Sequence, residues 1–580
     1  MSYQIAETGF GFFVVDNRDQ AISQSLIHTG DFETNQIALV LEFLKNKYSR
    51  DLKRNLFIDI GANIGTHTIS AINKYGFKRG LSFEPSKANF NILRTNISLN
   101  NLCKKVKIVN SAAGIEESIL ELSLNSINFG DHRICPSSSI HSETNQWQDE
   151  GIFDGKERIR VCNPVKFILE EVVDYDLVDA LCWIDTQGYE IPILTSLMPL
   201  HLNGLSSLIE FWPYGMECQG YSVENFLESV WSDNLEYHQM IVGDDNLFKP
   251  LTKDSIVSLW SSLRHSGDEE NGRYAFSSIL ISSKIHPSLM RRVIMTSKSQ
   301  DSNSVPKVNN AGSIFQDNGK SIQLMHNGLR LIEGCYYGDW MTEVIKRCRG
   351  HHEPQEEKVF HEVESLVPKD GFMVELGCFW AYYSLWFLSK SRDRFAIGLE
   401  PEPRHIEFGR KNAKINNLDN QIMFVDGACA KRDNSIVNLI TEQSGELNIK
   451  GYTVFDLLKL ARRSYIDILH CDTQGCEEFI VDQAIDLGKD SLLRFCFFST
   501  HAYEITGNPL THQQVLAKLK DAGVWILAEH DVYESFSGDG LIVASFEEVD
   551  RGMRVSLSSN RYSENIFRHP SSHFCEAIKG

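Results

Sequence analysis

The chain has 580 residues, enough for two to four domains of ~100 to 200 residues, and its 77 acidic against 57 basic residues give a formal charge of −20. That balance repels a phosphate backbone and excludes nucleic acid as a partner, because such binding runs on Lys and Arg neutralising phosphates. No stretch approaches ~20 apolar residues and "MSYQIAETGFGFFVVDN" has no signal-peptide pattern, which predicts a soluble, cytoplasmic chain without membrane contact.

In chain order, "NLFIDI" (55–60) is a short apolar run ending before Gly61, the pattern of a buried parallel strand entering a tight turn. A helix follows, then a strand "GLSFEP" stopped by Pro85, a helix "KANFNILRTNISLNN" (87–101) and a third strand "VKIVNSA" (106–112). The polar stretch 125–158 reads as a long surface excursion of the kind that covers a site. Next come "VDALCWI" with the phrase "DTQGYE" (185–190), and then "LIEFWP" (208–213). The stretch 297–321 is rich in Ser, Asn, Asp and Gly and predicts a linker within 291–321. Beyond it the pattern returns: "GFMVEL", "AIGLEP", the helix "PRHIEFGRKNAKINN", "QIMFVDGA", and "DTQGCE" at 472–477. The 13 cysteines form no Cys-x-x-Cys pair, and Cys162, Cys182, Cys378, Cys429 and Cys496 stand in apolar stretches as reduced core residues.

The two halves align without a gap at an offset of 316, pairing Gly61 with Gly377, Glu84 with Glu400, Arg94 with Arg410 and Asn96 with Asn412. The "DTQG" phrases are 287 apart, so the first copy carries 316 − 287 = 29 extra residues, assigned to the excursion. Strands alternating with helices predict an α/β fold of two tandem doubly wound, Rossmann-like sheets: 1–290, then 322–550, with a tail at 551–580. Ligands of such sheets sit outside the carboxyl ends of the strands.

Gly61 and Gly65 flank the first turn and permit close approach of backbone and helix N-terminus to a ligand. Glu84, ending the second strand, is placed to accept both hydroxyls of a ribose, which points to an adenosine-containing cofactor. Asn63 stands where a dinucleotide fingerprint has its middle Gly, so pyrophosphate is disfavoured, and Asp59 or Glu375 before the turn suits a ligand with positive charge. On "FIDIGANIGTHT", "FEPS", "NISLNN", "WIDTQGYEIPIL" and "LIEFWP" the sequence resembles the FkbM-type family of S-adenosylmethionine-dependent O-methyltransferases, over roughly 55–285 and, in divergent form, roughly 355–545. The family commonly has Glu where Gln187 and Gln474 stand. The resemblance implies an S-adenosylmethionine site at Asp59, Gly61, Asn63, Gly65 and Glu84, with the adenine near Asn110, Ser111 and Ala112, and it places Asp185 and Glu190 beside the transferring methyl. Matching positions in the second copy are Glu375, Gly377, Glu400, Asp426 and Gly427.

Methyl transfer needs alignment and a base for the acceptor proton. Asp185 and Asp472 end their strands in position for this; Glu210 after "SSLI" is an awkward structural choice, and His501 in "FFSTHAYE" is the second copy's candidate base. "RGHHEPQEEKVFHEVE" (349–364) reads as helix-start chemistry with Val359, Phe360, Val363 and Leu366 as a core stripe, and no metal is expected. Ala381, replacing Gly65, calls for negative φ, and Phe379, Trp380, Tyr382 and Tyr383 are expected to narrow the second pocket. The leading expectation is O-methylation of a small-molecule, glycan or natural-product hydroxyl, with two cofactors per chain, the first held tighter. The alternatives are one catalytic copy beside a regulatory or interaction module, and a nicotinamide-dependent oxidoreductase.

Overall fold

Two five-residue apolar runs buried along their whole length, Leu56–Ile60 and Phe372–Leu376, are the central strands of two separate sheets. Strands buried on both faces read as continuous hydrophobic runs because helices cover both sides. The computed structural model describes residues 3–135, 153–242, 247–265, 275–432, 435–441 and 444–560. It divides into Met1–Arg291 and Arg292–Gly580.

In the first unit the sheet has eight strands in the spatial order Leu247–Leu251, Leu235–Ile241, Ser277–Ser283, Ser206–Phe211, Ala180–Ile184, Leu56–Ile60, Arg79–Phe83, Val106–Val109. The last five are parallel and the first three antiparallel. The second unit's seven strands run Ile422–Asp426, Phe395–Glu400, Phe372–Leu376, Ile466–Cys471, Leu493–Thr500, Gly540–Ser545, Trp525–His530, again with five parallel and the last two antiparallel. Each sheet is a doubly wound, Rossmann-like one. In each, the strand order reverses beside the central strand, which opens a crevice at the carboxyl ends.

The asparagines shared by the two helices have a physical explanation. Asn96, fully buried, accepts from the Val14 N–H (2.7 Å) and donates to the carbonyls of Val14 (3.2 Å) and Ile64 (3.0 Å). Asn100 exchanges both bonds with Phe12. The hairpin Tyr3–Thr8/Gly11–Asp16 is thereby tied to the helix Lys87–Leu99. In the second unit Asn412 accepts from the Ile332 N–H (3.1 Å), and Asn416 accepts from and donates to Arg330 (2.9 and 2.8 Å). These hold the strand Arg330–Ile332 of a three-stranded sheet with Ile314–Asp317 and Lys320–Leu324. An exposed strand edge is thus covered by side-chain amides that mimic a ladder.

Three sequence expectations are corrected here. The stretch 297–321 is not a bare connection: it contains the turn Asp301–Ser304 and the strand Ile314–Asp317. Asp301, 4% exposed, takes hydrogen bonds from Ser558 and Lys358. Much of the stretch is exposed, and what composition cannot show is that Asp301 within it is buried by partners from elsewhere in the chain. For the same reason 551–560 is not a free tail, since Val555 donates to the Leu527 carbonyl and Asn560 to that of Ser535; 561–580 lies outside the described residues. Leu366 is 41% exposed, past the end of the helix Pro354–Glu364, while Val359, Phe360 and Val363 are buried.

Of the excursion, 136–152 lies outside the described residues. The five cysteines assigned to the core are buried and unpaired. Among the described residues no helix is long and apolar enough to cross a membrane.

Asn96→Ala strands the buried Ile64 carbonyl and leaves two part-buried backbone groups of Val14 without their partner, and a buried loss of this kind costs about 1–3 kcal/mol. Urea unfolding of the full chain is expected to show a destabilisation of that order, with Asn412→Ala giving a comparable loss through Ile332.

Candidate active site

At each strand order reversal the same backbone crossing occurs. Asp185 N–H donates to the Ile60 carbonyl (3.1 Å) and Gly61 N–H to that of Phe83 (3.0 Å). The second unit repeats this with Asp472 to Leu376 (3.0 Å) and Gly377 to Leu399 (2.9 Å). The chains approach so closely that a Cβ on Gly61 would lie 1.9 Å from the Asp185 carbonyl oxygen, and one on Gly377 1.8 Å from that of Asp472. Both glycines have positive φ (90° and 76°), a further reason no other residue serves.

The turn is then fixed by the second strand's carboxylate. Glu84 accepts from the N–H groups of Asn63 (2.9 Å) and Ser86 (2.8 Å); Glu400 accepts from Phe379 (3.0 Å) and Glu402 (3.0 Å). Asn63 and Phe379 both adopt left-handed φ, 49° and 41°. Ala381 also has positive φ, 62°, contrary to expectation. It caps the helix Tyr382–Leu388 where Gly65 (φ 93°) caps Thr66–Asn73, so the turn geometry overrides the residue's preference. A Cβ on Gly65 would meet Leu93 Cδ1 at 2.7 Å; the position matching Leu93 is Gly409, where a Cβ would meet Phe424 Cε1 at 2.8 Å and the Phe379 carbonyl oxygen at 3.2 Å.

Two hollows in the first unit, of about 50 and about 320 Å³, share Gly61, Asn63, Gly130, Asp185 and Gln187. The smaller is lined by Glu84, Ser111, Ala112 and Phe129, and the larger by Glu33, Glu210 and Trp212. Phe129, from the described part of the excursion, is held over the site by Asn63 and Asn89, whose amides donate to its carbonyl (2.7 and 2.9 Å). Asn89 Oδ1 is buried in the lining without a partner, an acceptor awaiting a donor.

At the carboxyl side of the crevice, Gln187 (φ 54°) donates to both Asp185 Oδ1 (2.7 Å) and Glu210 Oε2 (3.0 Å). Burial raises the pKa of both carboxyls, and the charge of Asp185 holds Glu210 well above its ordinary range. The pair therefore retains a proton where isolated carboxylates would not.

Other expected residues fall outside the cavity lining. Asp59, 1% exposed, accepts from Thr68 N–H (3.1 Å) and Oγ1 (2.5 Å) and secures the helix start. Glu190, fully buried, accepts through Oε1 from Thr186 N–H (3.0 Å), its hydroxyl (2.9 Å) and Gly188 N–H (3.3 Å), bracing the loop, while its Oε2 is buried without a hydrogen-bond partner. Gly65 shapes the cap, and Asn110 donates to the carbonyls of Glu84 and Pro85. Phe129 and Glu33 were missed because they lie far from the motifs in sequence, and Asn89, close behind Glu84, because it read as one polar position of the helix 87–101. Gln187 carried its own signal, being the family departure.

The second unit's cavity, about 300 Å³, is lined by Glu375, Gly377, Glu400, Gly427 and Asp472 together with Tyr336, Phe379, Trp380 and Tyr383. The aromatics form walls without filling it: Tyr336 stacks on Trp380 (4.6 Å, 5°), and Tyr382 turns away to donate to Glu357 (3.1 Å). Asp426, expected in the site, pairs at the surface with Arg410 (3.1 Å). His501 is no free base. Its Nε2 lies 3.1 Å from Asp472 and its Nδ1 2.8 Å from Glu477. Burial alone would lower its pKa, but Asp539, Asp472 and Glu477 raise it well above the ordinary imidazole value, so it is an imidazolium. Where the first unit has Glu210, the register places Ser499, which donates to Glu356 (2.8 Å).

Residues 59–241 match the family model "Methyltransferase FkbM domain". The first unit carries an FkbM-type methyltransferase domain, as its motifs indicated, and the matched span ends before the second unit. No curated protein matches the chain. Similar solved structures include the N-terminal domain of human METTL16 in complex with SAH (17% identity, TM-score 0.23, covering 34% of this chain and 71% of that one). A putative O-methyltransferase from Klebsiella pneumoniae (14%, 0.23, 32% and 79%) and M. capricolum TrmK with S-adenosyl-homocysteine (13%, 0.22, 34% and 74%) are others. Likeness at that level describes no activity.

Burial raises Glu84 to about 8, Asp59 to about 7 and Glu190 to about 7. Each therefore keeps its proton in the folded unit and loses it on unfolding at its ordinary value near 4 or 4.5. Between those limits the folded state binds more protons, so stability falls as pH rises, by about 1.4 kcal/mol per pH unit for each such group. The unfolding midpoint of the ligand-free chain is expected to drop from about pH 5 towards pH 8, with a shallower slope in Glu84→Gln, as followed by calorimetry.

Proposed function

We propose that the first unit transfers a methyl group from S-adenosylmethionine to a hydroxyl of a small molecule, glycan or natural product. The observation that carries this reading is the Asp185–Gln187–Glu210 arrangement at the mouth of a cavity whose other end is closed by Glu84. The lining suits the cofactor: Glu84 accepts ribose hydroxyls, the unpartnered Asn89 Oδ1 offers a buried acceptor, and Ser111 and Ala112 flank an adenine. The cofactor supplies an electrophilic methyl on a good leaving group. The protein's part is alignment and proton removal.

Asp185 is the group that receives the acceptor's proton, while Glu210 holds the proton of the pair and Gln187 fixes both carboxyls in place. A Glu at 187 would add a third carboxyl; the amide instead donates to both partners. The acidic wall of the larger hollow suits a neutral, hydroxylated acceptor and disfavours an anionic one.

The second unit reads as a divergent copy that binds the same class of cofactor without deprotonating an acceptor. Glu400 repeats the bonds of Glu84, whereas Ser499 replaces the second carboxyl and Asp472 is occupied by an imidazolium. A cavity of about 300 Å³ gives no basis for weaker binding there.

With labelled S-adenosylmethionine and a panel of hydroxylated acceptors, Asp185→Asn is expected to lower kcat by about 10²-fold or more. Glu210→Gln, which removes the second carboxyl of the coupled pair, is expected to lower the pKa of Asp185 and move the acidic limb of the pH profile to lower pH. Titration with S-adenosylhomocysteine is expected to give two sites per chain, Glu84→Ala and Glu400→Ala each removing one. Full turnover in Asp185→Asn would sink the base assignment.

A further inference from the structure

The segment 349–364 is more than a helix start. Glu357 is fully buried, and its two oxygens have different surroundings. Oε1 accepts from the N–H groups of His352 (2.7 Å) and Glu353 (3.2 Å) and is met by His352 Nδ1 (2.7 Å). Oε2 is met by His351 Nδ1 at 2.5 Å, by the Tyr382 hydroxyl at 3.1 Å and by His326 Nε2 at 3.6 Å.

His326 decides the chemistry. Its Nδ1 lies 3.1 Å from the Pro306 carbonyl, which can only accept, so the ring proton sits on Nδ1 and Nε2 presents a lone pair. That Nε2 has no hydrogen-bond partner, belongs to a side chain 2% exposed, and faces a carboxylate oxygen. Two lone pairs converging in a buried site repel unless a cation lies between them. A histidine whose far nitrogen donates to a backbone carbonyl is the arrangement that presents the near nitrogen to a metal. His351 stacks on His326 with centroids 4.0 Å apart and planes at 12°, so both rings bring their edges to the same carboxylate. The donor atoms of His326, His351 and Glu357 all lie within 4.8 Å of one another.

We propose that His326, His351 and Glu357 bind one divalent first-row transition metal of the zinc class, fastening the turn at 326 and the start of the helix Pro354–Glu364 to the core of the second unit. Two imidazoles and a carboxylate are a borderline donor set that suits zinc and its neighbours and not calcium or magnesium. Donors of a tetrahedral ion with bonds near 2.1 Å stand about 3.4 Å apart, close to the His326–Glu357 spacing; the His351 contact opens by about 1 Å as the ion replaces its proton. Oε1 keeps its three donors, leaving Oε2 as a single-point ligand beside the Tyr382 hydroxyl. The site is independent of the methyl-transfer reading.

The test uses the full chain, freed of metal with a chelator and titrated with Zn²⁺ or Co²⁺. Expected are one ion per chain by elemental mass spectrometry, a higher unfolding midpoint with Zn²⁺, and visible Co²⁺ bands. His326→Gln and His351→Gln are each expected to lower affinity at least tenfold with an unchanged far-ultraviolet spectrum, while Tyr382→Phe keeps the ion. Imidazole nitrogen coupling to bound Cu²⁺ by paramagnetic resonance gives a readout on the unmodified chain. A folded wild-type chain that takes up none of these ions, or binding indifferent to both histidine variants, would overturn the proposal.

Discussion

The bonds from two backbone N–H groups to one buried carboxylate, at Glu84 and again at Glu400, are what the two sites are built on. A carboxyl at a strand end has lone pairs to spare, and two N–H groups, one in the turn after the first strand and one two residues past the carboxyl itself, have no ladder partner. Each satisfies the other, and the turn is locked against the neighbouring strand. The left-handed φ at Asn63 and Phe379 follows from this constraint, because only that conformation aims the N–H at the carboxylate. The close approach of Gly61 to Asp185 follows as well: a turn held this tightly passes under the fourth parallel strand with no room for a side chain.

The same frame carries opposite electrostatics in the two units. In the first, Asp185 and Glu210 face each other with only a neutral amide between them, a costly arrangement that a structural role would not require. In the second, every comparable carboxyl has a cationic partner: Asp472 and Glu477 have His501, and Glu356 has His470. Burial would lower the pKa of His470, yet Glu356 raises it, so that pair is internally neutralised. A base must hold an available lone pair. The first unit stores one, and the second has consumed its own in ion pairs.

The strands, and the carboxyls that end them and hold the turns, were legible in the sequence because each is local: an apolar run, a glycine, an acidic residue at a strand end. What escaped was set by the folded backbone and by partners distant along the chain. Glu190 looked like a reactive group because its complete burial, and the loop conformation that aims the Thr186 and Gly188 N–H groups at it, are invisible in a six-residue phrase. His501 looked like a base because the two carboxylates around it come from the loop and the helix start near 472 and 477. The stretch 297–321 looked like a bare linker because the residues that bury Asp301, Lys358 and Ser558, lie far along the chain.

Ala381 shows how such long-range terms settle a local question. An L-residue in the left-handed region pays about 1–2 kcal/mol, which by itself predicts Gly, and Gly65 fills that position in the first unit. The cost is tolerated because the helix N-terminus and the Glu400 bonds together over-determine the backbone there. The facing helix changes too, with Gly409 where the first unit has Leu93. A Cβ on Gly409 would meet Phe424 Cε1 at 2.8 Å and the Phe379 carbonyl oxygen at 3.2 Å, so that glycine is required by the neighbouring ring and by the turn's own backbone. A glycine lost from such a turn is therefore weak evidence that the site has decayed, because the surrounding bonds hold the left-handed backbone without it.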